Sequence, residues 1–182
     1  MFERAAKVAG AGAGLVLVAA CAISPIWKHE GDTVYTQRNL WVTDRQHETT
    51  NYRGDYMIPV NSKVRIGDTT ERTIRVEVLD TGQRFTIVNV RKYTNRDIAA
   101  IYRRYFDSSR RDLAAFGAEA RDAIRAGEIE RGMSRDAVLV ARGYPPVHAT
   151  PTIHKDEWRY WTTGHDTRVI RFEDDRVVAI HD

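Results

Sequence analysis

The chain has 182 residues, 42% of them hydrophobic and 29% charged. That composition fits one or two small globular domains and excludes both wholesale disorder and a large multidomain enzyme. Lys and Arg number 28 against 25 Asp and Glu, a net charge of +3, with the two signs interleaved as in Arg110–Asp112 and Arg121–Arg125. A dedicated nucleic-acid binder gathers its cations on one face, so nucleic acid is not an expected partner. One cysteine, Cys21, excludes an internal disulfide framework and a cysteine-rich metal site.

Arg4 and Lys7 precede an uncharged run from Val8 to Ala20. A membrane span needs about 20 apolar residues, and this run is shorter. A short basic region ahead of a short apolar core is the pattern of a secretory signal. The run ends in Leu17-Val18-Ala19-Ala20-Cys21, which resembles the bacterial lipobox. Small residues there let a peptidase close on the backbone, and the thiol accepts the diacylglycerol. The expectation is a signal peptide over 1–20, with a diacylglycerol and an N-acyl (palmitate-type) chain on Cys21 and no other cofactor. Each buried CH₂ of those chains contributes about 0.8 kcal/mol of membrane affinity. The resemblance also implies sorting: Asp after the cysteine retains such proteins at the inner membrane, so Ala22 points to the periplasmic face of the outer membrane. Residues 21–32, with Pro25 and Gly31, read as a lipidated tether.

From Thr33 to Val90 the hydrophobic period is two. Val64 and Ile66 alternate with Lys63 and Arg65; Ile74, Val76 and Val78 alternate with Thr73, Arg75 and Glu77. Phe85 and Ile87 resume after the turn Asp80-Thr81-Gly82, and Gly67-Asp68-Thr69 reads as another turn. Tyr35–Val42 reads as an earlier strand, and Asn51–Val60 as a strand or bulged loop broken by Gly54 and Pro59. Several short strands in so few residues predict a small, bent, barrel-like module over 33–93. Ile58–Ile66 looks SH3-like.

The period then becomes helical over 94–182. Thr94 and Asp97 resemble a capping box, and Ile98, Ile101, Tyr102, Tyr105 and Phe106 form one apolar stripe. A second helix is predicted over Arg110–Arg125, with Leu113, Phe116, Ala120 and Ile124 on one side and Gly127 as its stop. Ser134 is placed to N-cap a third, with Asp136 in its first turn and Gly143 at its end. Three strands follow, Glu157–Trp161, Thr167–Phe172 and Arg176–His181, the last two joined by the turn Glu173-Asp174-Asp175. The predicted class is α+β, a small β module followed by helix, helix and a three-stranded antiparallel meander.

Gly132-Met133-Ser134 with Val138, then Gly143-Tyr144-Pro145, Trp158-Arg159-Tyr160, Phe172-Glu173-Asp174 and Val177, resembles the BamE-like (SmpA/OmlA) lipoproteins over roughly residues 127–182. The resemblance implies a helix-helix-strand-strand-strand domain behind a lipobox. It implies tight backbone geometry at Gly132 and Gly143, with Val138, Trp158, Tyr160 and Phe172 gluing helix to sheet. The long loop before Trp158 and the added β module depart from that family.

Little in the sequence points to catalysis. His148, His154, His165 and His181 share the C-terminal part with Asp156 and Glu157, a set from which zinc sites are built, but without a close helical His pair. Their expected state is solvated, with no metal. Ser134 lacks a nucleophile elbow. Asp174-Asp175 reads as a solvated turn, and no phosphate-cradling glycine loop is present. The aromatic residues carry more information. Trp158 and Tyr160 share one face of their strand and Trp161 takes the other. Trp161, beside a stiff exposed loop Tyr144-Pro145-Pro146, is therefore the expected partner-binding surface. The functional expectation is a non-enzymatic, outer-membrane-anchored periplasmic lipoprotein that binds an envelope protein or scaffolds an assembly. The alternatives are a peptidoglycan- or small-ligand-binding lipoprotein and, further off, a metal-dependent hydrolase.

Overall fold

The computed structural model describes residues 29–161 and 166–182. The expected signal, the lipobox with Cys21 and His165 lie outside them. Among the described residues no helix is long and apolar enough to cross a membrane.

The chain is mixed α+β. Its strands are β1 (Thr33–Thr36), β2 (Leu40–Val42), β3 (Gln46–Glu48), β4 (Tyr56–Ile58), β5 (Lys63–Thr69), β6 (Thr73–Val78), β7 (Arg84–Val88), β8 (Phe106–Asp107), β9 (Glu157–Trp161), β10 (Thr167–Glu173) and β11 (Arg176–His181). Its helices are α1 (Arg91–Thr94), α2 (Ile98–Tyr105), α3 (Ala118–Ala126) and α4 (Arg135–Arg142). One six-stranded sheet has the order β3-β7-β6-β5-β1-β8, β2 and β4 form a ribbon, and β11-β10-β9 form a separate sheet. The expected barrel-like closure is corrected: the six-stranded sheet is open, with short edges at β3 and β8. Edge strands of two or three residues offer few unpaired backbone groups to another chain.

The alternating residues of β5, β6 and β7 turn Val64, Ile66, Ile74, Val76, Phe85 and Ile87 into a first core. The apolar stripe of α2 covers it: Ile98, Ile101, Tyr102 and Tyr105 are all buried there. The helix begins at Asp97, whose Oδ1 accepts from the Ala100 N–H at 2.7 Å. Asp97 is thus the cap itself, not the acidic partner of a Thr94 cap, because Asn95 adopts a left-handed φ of 48° and ends α1 at Thr94. Phe106 leaves the helix with extended angles and opens β8, which pairs Thr36 with Phe106. The start of the chain body also docks on this helix, with His29 stacked on Tyr102 at 4.1 Å and Gly31 N–H donating to Ile66 O. The end of the expected tether, from His29 to Asp32, is therefore tied to the body, with Glu30 and Gly31 still exposed.

Two local expectations are also revised. Gly67-Asp68-Thr69 is not a turn but the irregular end of β5, where the register with β6 slips between Ile66 and Thr69. The reversal comes at Thr70, whose hydroxyl accepts from Arg72 and Thr73 N–H. The helix expected from Arg110 starts only after Gly117. Asn61 takes both backbone groups of Arg111, accepting from its N–H at 2.7 Å and donating to its carbonyl at 2.9 Å. With those groups committed to another segment, the helical ladder cannot form through Arg111.

The second core lies between α3, α4 and the three-stranded antiparallel sheet. Trp158, Tyr160, Ile170, Phe172, Val138 and Met133 are buried in it, and the burial of each large side chain contributes about 1.5–3 kcal/mol. Ser134 caps α4, accepting from Ala137 N–H. Asp174 and Asp175 both have positive φ, as a two-residue hairpin between right-twisted strands requires. Gly132 and Gly143 also take positive φ at the ends of α4.

Candidate functional site

The most distinctive features lie at the seam of the two cores, and the segment that follows β1 builds it. Asn39, 2% exposed, donates through Nδ2 to Ile124 O at 2.6 Å and Ala141 O at 3.2 Å, and its Oδ1 accepts from Val60 N–H at 2.9 Å. Its own N–H donates to Val140 O. Helix ends leave carbonyls without partners, and Asn39 supplies donors near the ends of both α3 and α4. Trp41 and Met57 on the β2–β4 ribbon press against Gly127, whose φ of 70° closes α3. Arg142, 5% exposed, donates to Gly127 O at 2.7 Å. Tyr52 crosses the same boundary: its hydroxyl donates to Tyr144 O at 2.8 Å, and its ring meets Tyr160 edge-on.

Beside these staples the seam opens into a cleft of about 390 Å³ between α1, α2 and the 144–154 loop. Arg104 and Arg96 line it, with Thr50, Thr150, Thr152 and His154, and no acidic residue lines it among the described residues. Tyr144 forms part of the wall, with the Arg104 guanidinium 3.8 Å and the Arg38 guanidinium 4.6 Å from its ring centre. Arg38 is 6% exposed; Nε and Nη2 donate to Arg104 O, while Nη1 is buried without an acceptor. Neither Arg38, Arg96 nor Arg104 pairs with a carboxylate among the described residues. Burial pulls the Arg104 guanidinium below its ordinary pKa; Tyr144 opposes this, and Arg96 and Arg38 add to it.

His47 lies behind the cleft on β3. Its Nδ1 is 2.7 Å from Trp41 O, which can only accept, so Nδ1 carries the proton. Its Nε2 lies 3.3 Å from the Tyr105 hydroxyl. Burial lowers the imidazole pKa to about 4; the Trp41 hydrogen bond opposes that and Arg38 reinforces it. Burial raises Tyr105 to about 12. Both groups are therefore neutral near pH 7.

A solvent-facing aromatic ledge adjoins the cleft through Tyr93. His148 lies 5.0 Å from Tyr93 and stacks on Trp161 at 6.2 Å with nearly parallel planes. Trp161 is 38% exposed, the large hydrophobic side chain with most surface among the described residues. The alternation expected for β9 holds: Trp158 and Tyr160 are buried and Trp161 faces out. The expected exposure of Tyr144-Pro145-Pro146 is corrected: both prolines are buried and Tyr144 is half-buried under its two arginines. That loop also docks on α1, with Val147 N–H donating to Tyr93 O. Tyr144 and Trp161 therefore belong to two neighbouring features, the cleft wall and the ledge.

His148 is a stacking residue, His154 lines the cleft and His181 lies at the end of β11; no three His, Cys, Asp or Glu side chains converge among the described residues. Sequence reasoning missed Arg38, Asn39, Arg96 and Arg104. The polar Gln37-Arg38-Asn39 break inside an otherwise apolar stretch was the one available signal. No protein-family model, no curated protein and no solved structure matches the chain.

Proposed function

We propose that the chain is a lipid-anchored, non-enzymatic recognition protein of the bacterial envelope, held by acyl chains on Cys21 at the periplasmic face of the outer membrane. The observation that carries the binding role is the Tyr93–His148–Trp161 ledge, an exposed aromatic stack fixed to a rigid seam. Trp and Tyr anchor interfaces because they bury much area at small entropic cost. A protein of the envelope is the partner this ledge suits. Anchoring confines both molecules to one surface, so a modest interface suffices. The order of helices and strands after residue 118 agrees with a BamE-like domain, and the lipobox ahead of the body agrees with the anchor.

Two measurements test the reading. Cys21→Ser should shift the protein from the outer-membrane fraction to the soluble periplasm, and the unsubstituted protein should carry the mass of its acyl chains. Protein recovered from the native cytosol with Met1 intact would refute the anchor. A photo-crosslinker in place of Trp161 should capture one envelope protein, and an empty or indiscriminate pattern would refute the ledge. A second reading has its own observation, a groove of about 750 Å³ on the sheet face lined by Arg65, Glu77, Arg84 and Thr86. If the protein binds peptidoglycan or a small ligand there, cell-wall sacculi should retain the Cys21→Ser chain and release it on Arg84→Glu.

A further inference from the structure

We infer that the cleft between α2 and the 144–154 loop binds a phosphate group, carried by a small soluble compound or by a lipid headgroup. The site needs no acylation, so it stands or falls apart from the anchor.

Two guanidiniums, Arg96 and Arg104, reach one cleft whose described lining holds no carboxylate to neutralise them. A third, Arg38, sits behind Tyr144 with Nη1 buried and lacking an acceptor. Buried cations without counter-charges are costly, and a bound anion removes that cost. Tyr144 covers one face of the Arg104 guanidinium at 3.8 Å, and none of its N–H groups is engaged among the described residues. What remains for a ligand is the in-plane edge, the fork that meets oxyanions two bonds at a time.

Hydroxyls extend the donor set. Thr150 Oγ1 accepts from Arg159 N–H, and Thr152 Oγ1 accepts from His154 N–H. Each lone pair so used turns the hydroxyl proton outward as a donor. Thr49, which also lines the cleft, is placed likewise by Val90 N–H. Two lining cations with several hydroxyls match a dianion with three terminal oxygens better than a single carboxylate. Ile101, Pro145, Val147 and Ile153 supply an apolar remainder for an organic stem. The volume is at the small end for ligand sites, enough for a phosphate and a short stem. Because both cores line the cleft, a bound phosphate ties them together and stabilises the fold.

The test uses the full chain with Cys21→Ser, so that acyl chains contribute nothing. Thermal unfolding is followed against inorganic phosphate and against acetate at matched ionic strength. A saturable rise in Tm is expected with phosphate, and a smaller one with acetate. Arg104→Gln and the exposed Arg96→Gln should each weaken the apparent affinity at least about tenfold, the loss of one charge-assisted hydrogen bond. Arg96 forms no side-chain hydrogen bond among the described residues, so its variant folds normally and keeps the test decisive. Flotation with phosphatidic-acid vesicles against phosphatidylcholine vesicles separates the sources. Arginine-dependent flotation assigns a lipid headgroup, and phosphate binding without flotation assigns a soluble ligand. No phosphate-dependent shift, an equal shift with acetate, or a shift that survives both substitutions would overturn the inference.

Discussion

Acidification should cost this protein stability through one buried imidazole. His47 is 3% exposed on β3, with its ring edge against Tyr105 and the Arg38 guanidinium nearby. Its pKa falls from 6.5 to about 4 because burial disfavours the charged ring, and Arg38 adds to that. The Trp41 carbonyl opposes the shift but does not cancel it. Between those values the unfolded chain binds a proton that the folded chain refuses. Stability is therefore whole above pH 6.5, drains as pH falls toward 4, and loses nothing more from this residue below that. The gap corresponds to about 3 kcal/mol, a large share of a domain's total. Carboxylates also titrate at the lower end, so the informative quantity is a difference. Urea unfolding of the native protein and of His47→Gln should be compared from pH 7.5 down to pH 4. Glutamine is the less stable partner at pH 7.5, because it does not refill the space of the ring beside Tyr105. It does not titrate, so the two curves should converge by about 3 kcal/mol at pH 4. A separation that stays constant across that range would show that the imidazole takes up its proton in the fold as readily as in the unfolded chain, and the account of the seam would be wrong.

Other substitutions probe the same boundary. Asn39→Leu strands Val60 N–H and Ala141 O in the interior and leaves Ile124 O with the Gly127 N–H alone, so roughly 3 kcal/mol should be lost, with Tm lower by roughly 6–12 °C in calorimetry. A loss under 1 kcal/mol would mean that water replaces the side chain. Gly127→Ala should cost about 2–4 kcal/mol in urea unfolding, since the added methyl meets the Trp41 ring at 2.6 Å on a left-handed backbone. Gly132→Ala, with φ of 84° and open space around the methyl, should cost only the conformational part, about 1 kcal/mol. Equal costs at the two positions would remove the packing argument. Of the eight tyrosines, Tyr102 and Tyr105 are raised to about 12 and Tyr52 and Tyr160 are raised as well, all chiefly by burial. At pH 11 the absorbance at 295 nm should thus fall short of eight phenolates until denaturant is added; full ionisation of the native protein would contradict the packing.

The periodicity of the sequence determined the element types and their faces. Val64, Ile66, Ile74 and Val76 face the first core because alternation in a strand admits only one buried side. Ile98, Ile101, Tyr102 and Tyr105 form the covered stripe of α2 for the equivalent helical reason, and Ser134 and Gly127 were legible as helix ends from local chemistry. Trp161 was separable from Trp158 and Tyr160 by parity alone. What the tertiary structure decided depends on partners distant in sequence. Asn61 claims the backbone of Arg111 and delays α3, and Asn39 bridges helices about a hundred residues ahead of it. The arginine cleft is likewise invisible along the chain: Arg38 lies far in sequence from Arg96 and Arg104, which flank and belong to α2, and Tyr144 brings Arg38 and Arg104 together from a third segment. A local pattern records which way a side chain points relative to its own backbone. It carries no information about which other segment fills the space it points into, and the seam and the cleft of this protein are made of that second kind of relation.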